Sequence, residues 1–291
     1  MKKFLQIFLL VFIFDNLYSQ IDDETRFERF FNNFYSKPDY VENQNKIIIE
    51  YGLSFPNFGN DEFSSNFMNT YQVQFNYGFH REDHRLTHGG LFKHQGEFAF
   101  VANNSTNFKT FNISPNGVIT DSWIWGVGLN DGYGYLVGEF SKIYLNHAIM
   151  LNWIHLDFDI ANYNDFEQRI VNIYDENYKF GGSYVGGFGL SLSDNLTMDF
   201  SYQTSLFYQE FDFMKYAVVW FYDIVLQRLP DLLDKELFEI FGINYGWMHS
   251  LYKNLVSLFF WNLRKEQAYF PFESPAAMYY DTYKVGFKYI F

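Results

Sequence analysis

The segment Tyr283-Lys284-Val285-Gly286-Phe287-Lys288-Tyr289-Ile290-Phe291 alternates strictly, with Tyr283, Val285, Phe287, Tyr289 and Phe291 on one side and Lys284, Gly286 and Lys288 on the other. Successive side chains of a β-strand point to opposite faces, so this stretch has an apolar side and a polar side. A free aromatic edge invites aggregation. Closing a barrel supplies such a strand with a partner on each side.

The same rhythm recurs near the start. Ile47, Ile49, Tyr51, Leu53 and Phe55 alternate with Lys46, Glu50, Gly52 and Ser54; Tyr71, Val73, Phe75, Tyr77 and Phe79 alternate with Gln72, Gln74, Asn76 and His80. With Phe291 closing the last strand and aromatics at alternate positions before it, the chain resembles bacterial outer-membrane β-barrels. The resemblance implies an outer-membrane address, lipid around the wall and the barrel-assembly machinery as a partner during biogenesis.

Composition agrees. Aromatic residues make up 23% of the chain while the mean hydropathy is slightly negative, a pairing natural for alternating strands with aromatic girdles. No stretch approaches the roughly 18 to 20 apolar residues that a transmembrane helix needs. A net charge of −13 argues against nucleic acid, and the absence of cysteine excludes disulfides and thiol chemistry. There is no phosphate-binding glycine loop, and no cofactor is expected.

Residues 1–19 read as a signal peptide: Lys2 and Lys3 precede the apolar run Phe4 to Phe14, and Ser19 offers a small residue before Gln20. Residues 20–45 hold Phe27, Phe30, Phe31, Phe34 and Tyr35 at three-four spacing, stopped by Pro38, and predict a short periplasmic amphipathic helix. Residues 46–291 form the predicted barrel, an all-β closed antiparallel fold of about twelve strands. After the two strands above, the others centre on 91–102, 108–114, 118–129, 135–144, 148–160, 178–192, 196–210, 239–251, 255–264 and 277–291. Tight periplasmic turns are expected at Pro115-Asn116-Gly117, Leu145-Asn146-His147, Ser193-Asp194-Asn195 and Tyr252-Lys253-Asn254, with Asn130-Asp131-Gly132-Tyr133-Gly134 as a short outer connection. A soluble β-sandwich is the alternative fold.

A helical insertion is expected at 213–238. Met214 to Leu229 is apolar almost all round, and Pro230-Asp231 opens a second short helix. A helix of this kind folds inward as a plug or lid, with Trp220, Phe221 and Tyr222 as its bulk, lies in the outer leaflet, or docks a partner.

The lumen is expected to be lined by Gln72, Gln74, Asn76, Glu97, Asp199, Ser201 and Gln203. Lys46 and Glu50 of the first strand face Lys284 and Lys288 of the last, predicting ion pairs at the closing seam or a charged constriction. His80, His84 and His88 have ligand-like spacing if they lie on a helix; Gly89-Gly90 argues for a turn, and no metal is expected. For a hydrolase, His249 and Ser250 fall on opposite faces of a strand and cannot pair, which leaves only a dispersed arrangement such as Ser257 with His249. The sequence therefore points to no enzyme. The leading expectation is a narrow or gated channel for small polar solutes, the alternative a non-catalytic subunit of an assembly or secretion complex docking through 20–45 or 213–229, and the least expected a lipid hydrolase.

Overall fold

The structure, a computed structural model, describes residues 43–59, 63, 66–84, 90–106, 118–137, 141–159 and 165–291. Eight strands, β1 (Gln44–Phe58), β2 (Thr70–Asp83), β3 (Leu91–Ser105), β4 (Ile119–Val137), β5 (Ser141–Asp159), β6 (Tyr178–Ser191), β7 (Leu196–Phe207) and β8 (Met278–Ile290), form one closed antiparallel barrel among the described residues. Each strand pairs with its neighbours in sequence, and β8 returns to β1 with Tyr283 opposite Leu53 and Phe287 opposite Ile49. The signal peptide, residues 20–42 of the segment expected to hold a helix, the strand at 108–114, the turn 115–117 and His88 lie outside the described residues, and Gln44 and Asn45 of that segment already belong to β1.

Of the twelve expected strands, the described residues show eight; apart from the strand at 108–114, which lies outside them, three are lost for two reasons. Residues 130–134 are no turn: they continue β4, with Asp131 opposite His147 and Tyr133 opposite Leu145, so residues 145–147 are also mid-strand. Glycine here serves packing across the wall. A Cβ on Gly132 would stand 1.8 Å from the Leu145 carbonyl oxygen. In addition, the segments 239–251 and 255–264 are helical. The four helices among the described residues are α1 (Asp165–Tyr174), α2 (Phe213–Leu232), α3 (Asp234–Phe241) and α4 (Tyr245–Glu266), with a 3₁₀ turn at Gly242–Asn244 between the last two. Their buried residues recur at helical spacing, as in His249, Lys253, Ser257, Phe260 and Arg264.

Alternation sorts the wall into two faces. Ile49, Phe75, Val101, Trp123, Val127, Leu129, Val285 and Phe287 are exposed outward, an apolar belt that suits hydrocarbon. Inward, the half of the lumen nearer α1 is filled by Phe100, Ile124, Met150, Ile154, Phe207, Met278 and Tyr280. Phe58, Phe63, Phe67 and Phe158 stack over that end, ring centroids 5.1 to 6.4 Å apart. An eight-stranded barrel is just wide enough for side chains to fill, and this one is filled.

The connections at one rim, 84–90, 138–140 and 192–195, are short; those at the other, 59–69, 106–118, 160–177 and 208–277, are long. Short connections face the periplasm in outer-membrane barrels, which sets the orientation.

Candidate functional site

The largest connection, 208–277, folds back along the outside of the wall. Tyr133, Tyr135, His147, Ile149 and Tyr184 occupy outward positions on β4, β5 and β6, yet α2 and α4 bury several of them. Tyr133 packs edge-on against Tyr245 and His249, with ring centroids 5.4 and 4.8 Å away. Gly246 permits this approach, because a Cβ there would meet Tyr135 Oη at 2.6 Å and Leu91 Cδ1 at 2.8 Å. The far sides of the helices expose Met214, Phe221, Tyr222, Trp247, Leu251 and Leu255. These helices therefore lie between lipid and wall, and Trp220, Phe221 and Tyr222 cover no lumen.

Between helices and wall is a row of polar groups. The buried positions of α2 are Val219, Asp223, Gln227, Pro230 and Asp231; Asp223, Gln227 and Asp231 stand four residues apart and so share one face. That stripe meets its counterpart on α4 running the opposite way. Arg264 donates from Nη1 to Asp223 Oδ2 at 2.6 Å and from Nη2 to Oδ1 at 2.7 Å, and Nη1 also reaches Tyr184 Oη of the wall at 2.7 Å. Lys253 bonds Asp231 Oδ2 at 2.9 Å and also pairs with Asp131. Asp231 Oδ1 takes Lys93 at 3.0 Å and His249 at 2.9 Å. Ionisable groups at membrane depth are costly to keep and mark functional sites by default.

At the centre of the row, Gln227 Nε2 donates to Ser257 Oγ at 2.9 Å. Ser257 Oγ also stands 2.9 Å from His147 Nε2. The other ring nitrogen, Nδ1, faces Asp131 Oδ1 at 3.5 Å. Ser257 is on α4, His147 on β5 and Asp131 on β4, directly opposite His147 in the ladder. Hydroxyl, imidazole and carboxylate thus stand in the order that activates a serine nucleophile, and catalytic hydrogen bonds are often long without substrate. Gln227 adds an amide donor beside the oxygen.

Sequence reasoning named Ser257 but placed it with His249 on neighbouring strands; His249 instead binds Asp231, and His147 comes from 110 residues earlier. His147 and Asp131 escaped notice because both fell in segments read as turns. Polar residues at four-residue intervals, Asp223-Gln227-Asp231 and His249-Lys253-Ser257, are the signal that marks this face.

Of the expected lumen residues, Gln72, Gln74, Asn76, Asp199 and Gln203 are buried within the barrel, beside Ser201. Glu97 is a correction. It is 56% exposed on the outer face and pairs with Arg81 at 3.6 Å, because β3 turns Phe98 and Phe100 inward in its place. Of the seam residues, Lys284 binds Glu50 at 3.0 Å, whereas Lys46 donates to Asn130 at 2.5 Å and Lys288 lies 3.8 Å from Asp199. Glu50 also accepts from Asn76 at 2.8 Å, and Gln74 donates to Asn76 at 2.7 Å, so the polar half of the lumen is occupied by its own pairing. His80 and His84 both turn to Glu82, each at 3.1 Å, and among the described residues no group of three His, Cys, Asp or Glu could hold a metal ion.

No protein-family model matches the sequence, and no curated protein does. Among solved structures, Neisserial surface protein A matches with a TM-score of 0.38 at 8% identity, over 87% of this chain and 100% of that one. Ail, the attachment invasion locus protein of Yersinia pestis, matches with a TM-score of 0.31 at 11% identity, over 86% of this chain and 99% of that one. The closed wall leaves no strand edge, and its belt is apolar all round except where helices cover it. Such a body resides in the bacterial outer membrane.

Proposed function

We propose that this outer-membrane barrel is a serine hydrolase that works from its lipid-facing wall and cleaves acyl esters of membrane glycerolipids. The observation that carries the reading is the Ser257–His147–Asp131 alignment, with 2.9 Å from hydroxyl to imidazole and 3.5 Å from imidazole to carboxylate. His147 is the seventh of the 19 residues of β5 counted from the periplasmic rim. The site therefore belongs to the periplasmic half of the wall, beside the leaflet whose lipids are glycerophospholipids.

The chemistry follows from these positions. Ser257 Oγ attacks the ester carbonyl carbon as its proton passes to His147 Nε2, and Asp131 stabilises the imidazolium that results. Collapse of the tetrahedral adduct breaks the bond to the glycerol oxygen, which takes the proton from His147. Water, deprotonated by the same imidazole, then releases the fatty acid from Ser257.

Solute conduction has less support, because aromatic rings close one half of the lumen and paired charges fill the other. Partner docking through 213–229 also has less support: the outer faces of α2 and α4 are apolar, as lipid contact requires.

The test is fatty-acid release from phospholipid vesicles carrying the purified barrel. Turnover should fall by about 10³-fold or more in Ser257→Ala and in His147→Gln, the usual scale for losing a nucleophile or its base. Release that persists unchanged in both variants would rule the reading out.

A further inference from the structure

Ser257 is only 3% exposed, so the geometry that activates it also hides it from any lipid. What hides it on the lipid side is α2, through Gln227. Nucleophile and base lie elsewhere, on α4 and on the wall. Lifting α2 would uncover Ser257 and leave its bond to His147 in place. We propose that α2 is a lid over the site and that Asp223 with Arg264 is its latch; this inference rests on the hydrolase reading.

Three features of α2 fit that role. Its fully buried residues are few, Val219, Asp223, Gln227 and Asp231 at four-residue spacing with Pro230 beside the last, and Tyr216 adds ring contacts to Phe180 and Tyr208. Its remaining surface includes Met214, Val218, Trp220, Phe221 and Tyr222, all exposed and all at home in hydrocarbon whether the helix is docked or raised. Only three side chains on the buried stripe would lose polar partners on lifting. At the far end Asp231 ties α2 to α4 through Lys253 and His249 and to β3 through Lys93, so lifting starts at the Asp223 end.

Carboxylates fasten both ends of the helix. Asp223 is held by both guanidinium nitrogens of Arg264 and by Tyr184, so at this end one carboxylate joins α2 to α4 and to β6 together. Bidentate arginine pairs are strong and directional, and separating one at membrane depth is costly. The closed state therefore dominates until lipid takes the place of the lost contacts. Beside the latch is a small hollow lined by Ile149, Gly182, Leu206, Tyr216, Val219 and Trp220. Ile149 is the next outward residue along β5 from His147, so the hollow lies one outward position along the strand from the site.

The native chain has no cysteine, which makes thiol chemistry clean. Tyr252 of α4 donates to the Leu226 carbonyl of α2 at 3.0 Å, so Leu226→Cys with Tyr252→Cys, joined by a short reducible thiol-to-thiol linker, ties the lid shut. Labelling of Ser257 by a lipid-soluble fluorophosphonate should slow roughly tenfold or more in the tied form and recover when the linker is cut; in Asp223→Asn it should quicken roughly tenfold, as for a shifted two-state equilibrium. Heat-modifiable gel mobility confirms an intact barrel in each variant. A separate series in which Ser257→Cys reacts with a lipophilic maleimide reads exposure without catalysis, with a tether chemistry that leaves this thiol free. Equal alkylation of the Ser257→Cys thiol with latch intact, weakened or tied overturns the lid. Ordered alkylation with no fluorophosphonate labelling in any variant keeps the lid and overturns the hydrolase instead.

Discussion

Lys284 reaches from β8 across the closing seam to Glu50 on β1, Nζ to Oε2 3.0 Å, so the pair that joins first strand to last is buried inside the lumen. Glu50 has two further donors, Asn76 and Ser201, and Lys284 a second acceptor in Gln74 at 3.4 Å. Removing one partner strands a charge where water cannot reach it. Lys284→Met should cost about 3–5 kcal/mol of unfolding free energy, the scale for a broken buried pair, and Lys284→Met with Glu50→Gln should recover most of it. Urea unfolding in lipid vesicles measures both; equal loss in the single and double variants would show that the charge is not the cause.

Trp220 and Trp247 place the helices in lipid. They are 38% and 55% exposed, on α2 and α4, whereas Trp261 is 7% exposed and packs edge-on against Tyr279 of the wall. In single-tryptophan variants, brominated phospholipid should quench Trp220 and Trp247 strongly and Trp261 weakly. Strong quenching of Trp261 alone would contradict the arrangement.

Asp131 orients His147 from the facing position on the next strand. Asp131→Asn keeps the shape and removes the charge, and Lys253 retains Asp231 as its anion at 2.9 Å. Lipid turnover should drop about 10³–10⁴-fold with little change in KM, as expected when a triad loses the carboxylate that stabilises its imidazolium. An unchanged rate would remove Asp131 from the site.

Gly246 is where α4 comes closest to the wall. Gly246→Leu would drive a side chain into Tyr135, Leu91 and Tyr133, and overpacking of this kind costs about 1–3 kcal/mol. The barrel should still form, with heat-modifiable mobility retained, while bromolipid quenching of Trp261 rises as the helix lifts. Loss of the barrel itself would mean that the helix contributes to closing the wall.

Ion flow gives a further check. With Phe58, Phe63 and Phe67 stacked over one end and Glu50, Lys284, Asp199 and Lys288 paired within the other half, purified protein in planar bilayers should give no discrete conductance steps, with α2 present or deleted. Reproducible steps would restore the channel.

The wall was legible because one face meets lipid and the other a packed lumen, and a period of two records that contrast in residues such as Ile49, Phe75 and Phe287. Strand number was less so. Inward glycines in β4 make room for aromatic rings of β3: a Cβ on Gly128 would stand 2.5 Å from Phe98 Cζ and one on Gly134 2.1 Å from Phe92 Cζ. Glycines used in this way imitate turns. Residues 245–264 offer apolar side chains at both strand and helix spacing, and only the four-residue rhythm of His249, Lys253 and Ser257 separates the two. The site was least legible of all. A polar residue facing outward from a barrel looks misplaced until the helix that covers it is known, so Asp131 and His147 passed for loop chemistry.

Asp131 and His147 face each other across one ladder, in a cylinder whose inward side chains are largely buried among themselves. Neither can shift against the other without tearing backbone hydrogen bonds on both of its flanks. On the hydrolase reading, carboxylate and imidazole are therefore a fixed jig, and adjustments along the reaction coordinate fall to the helices that lean on it. A filled bore serves here as stiffness: on the hydrolase reading, the barrel holds half of a catalytic geometry still in a fluid medium.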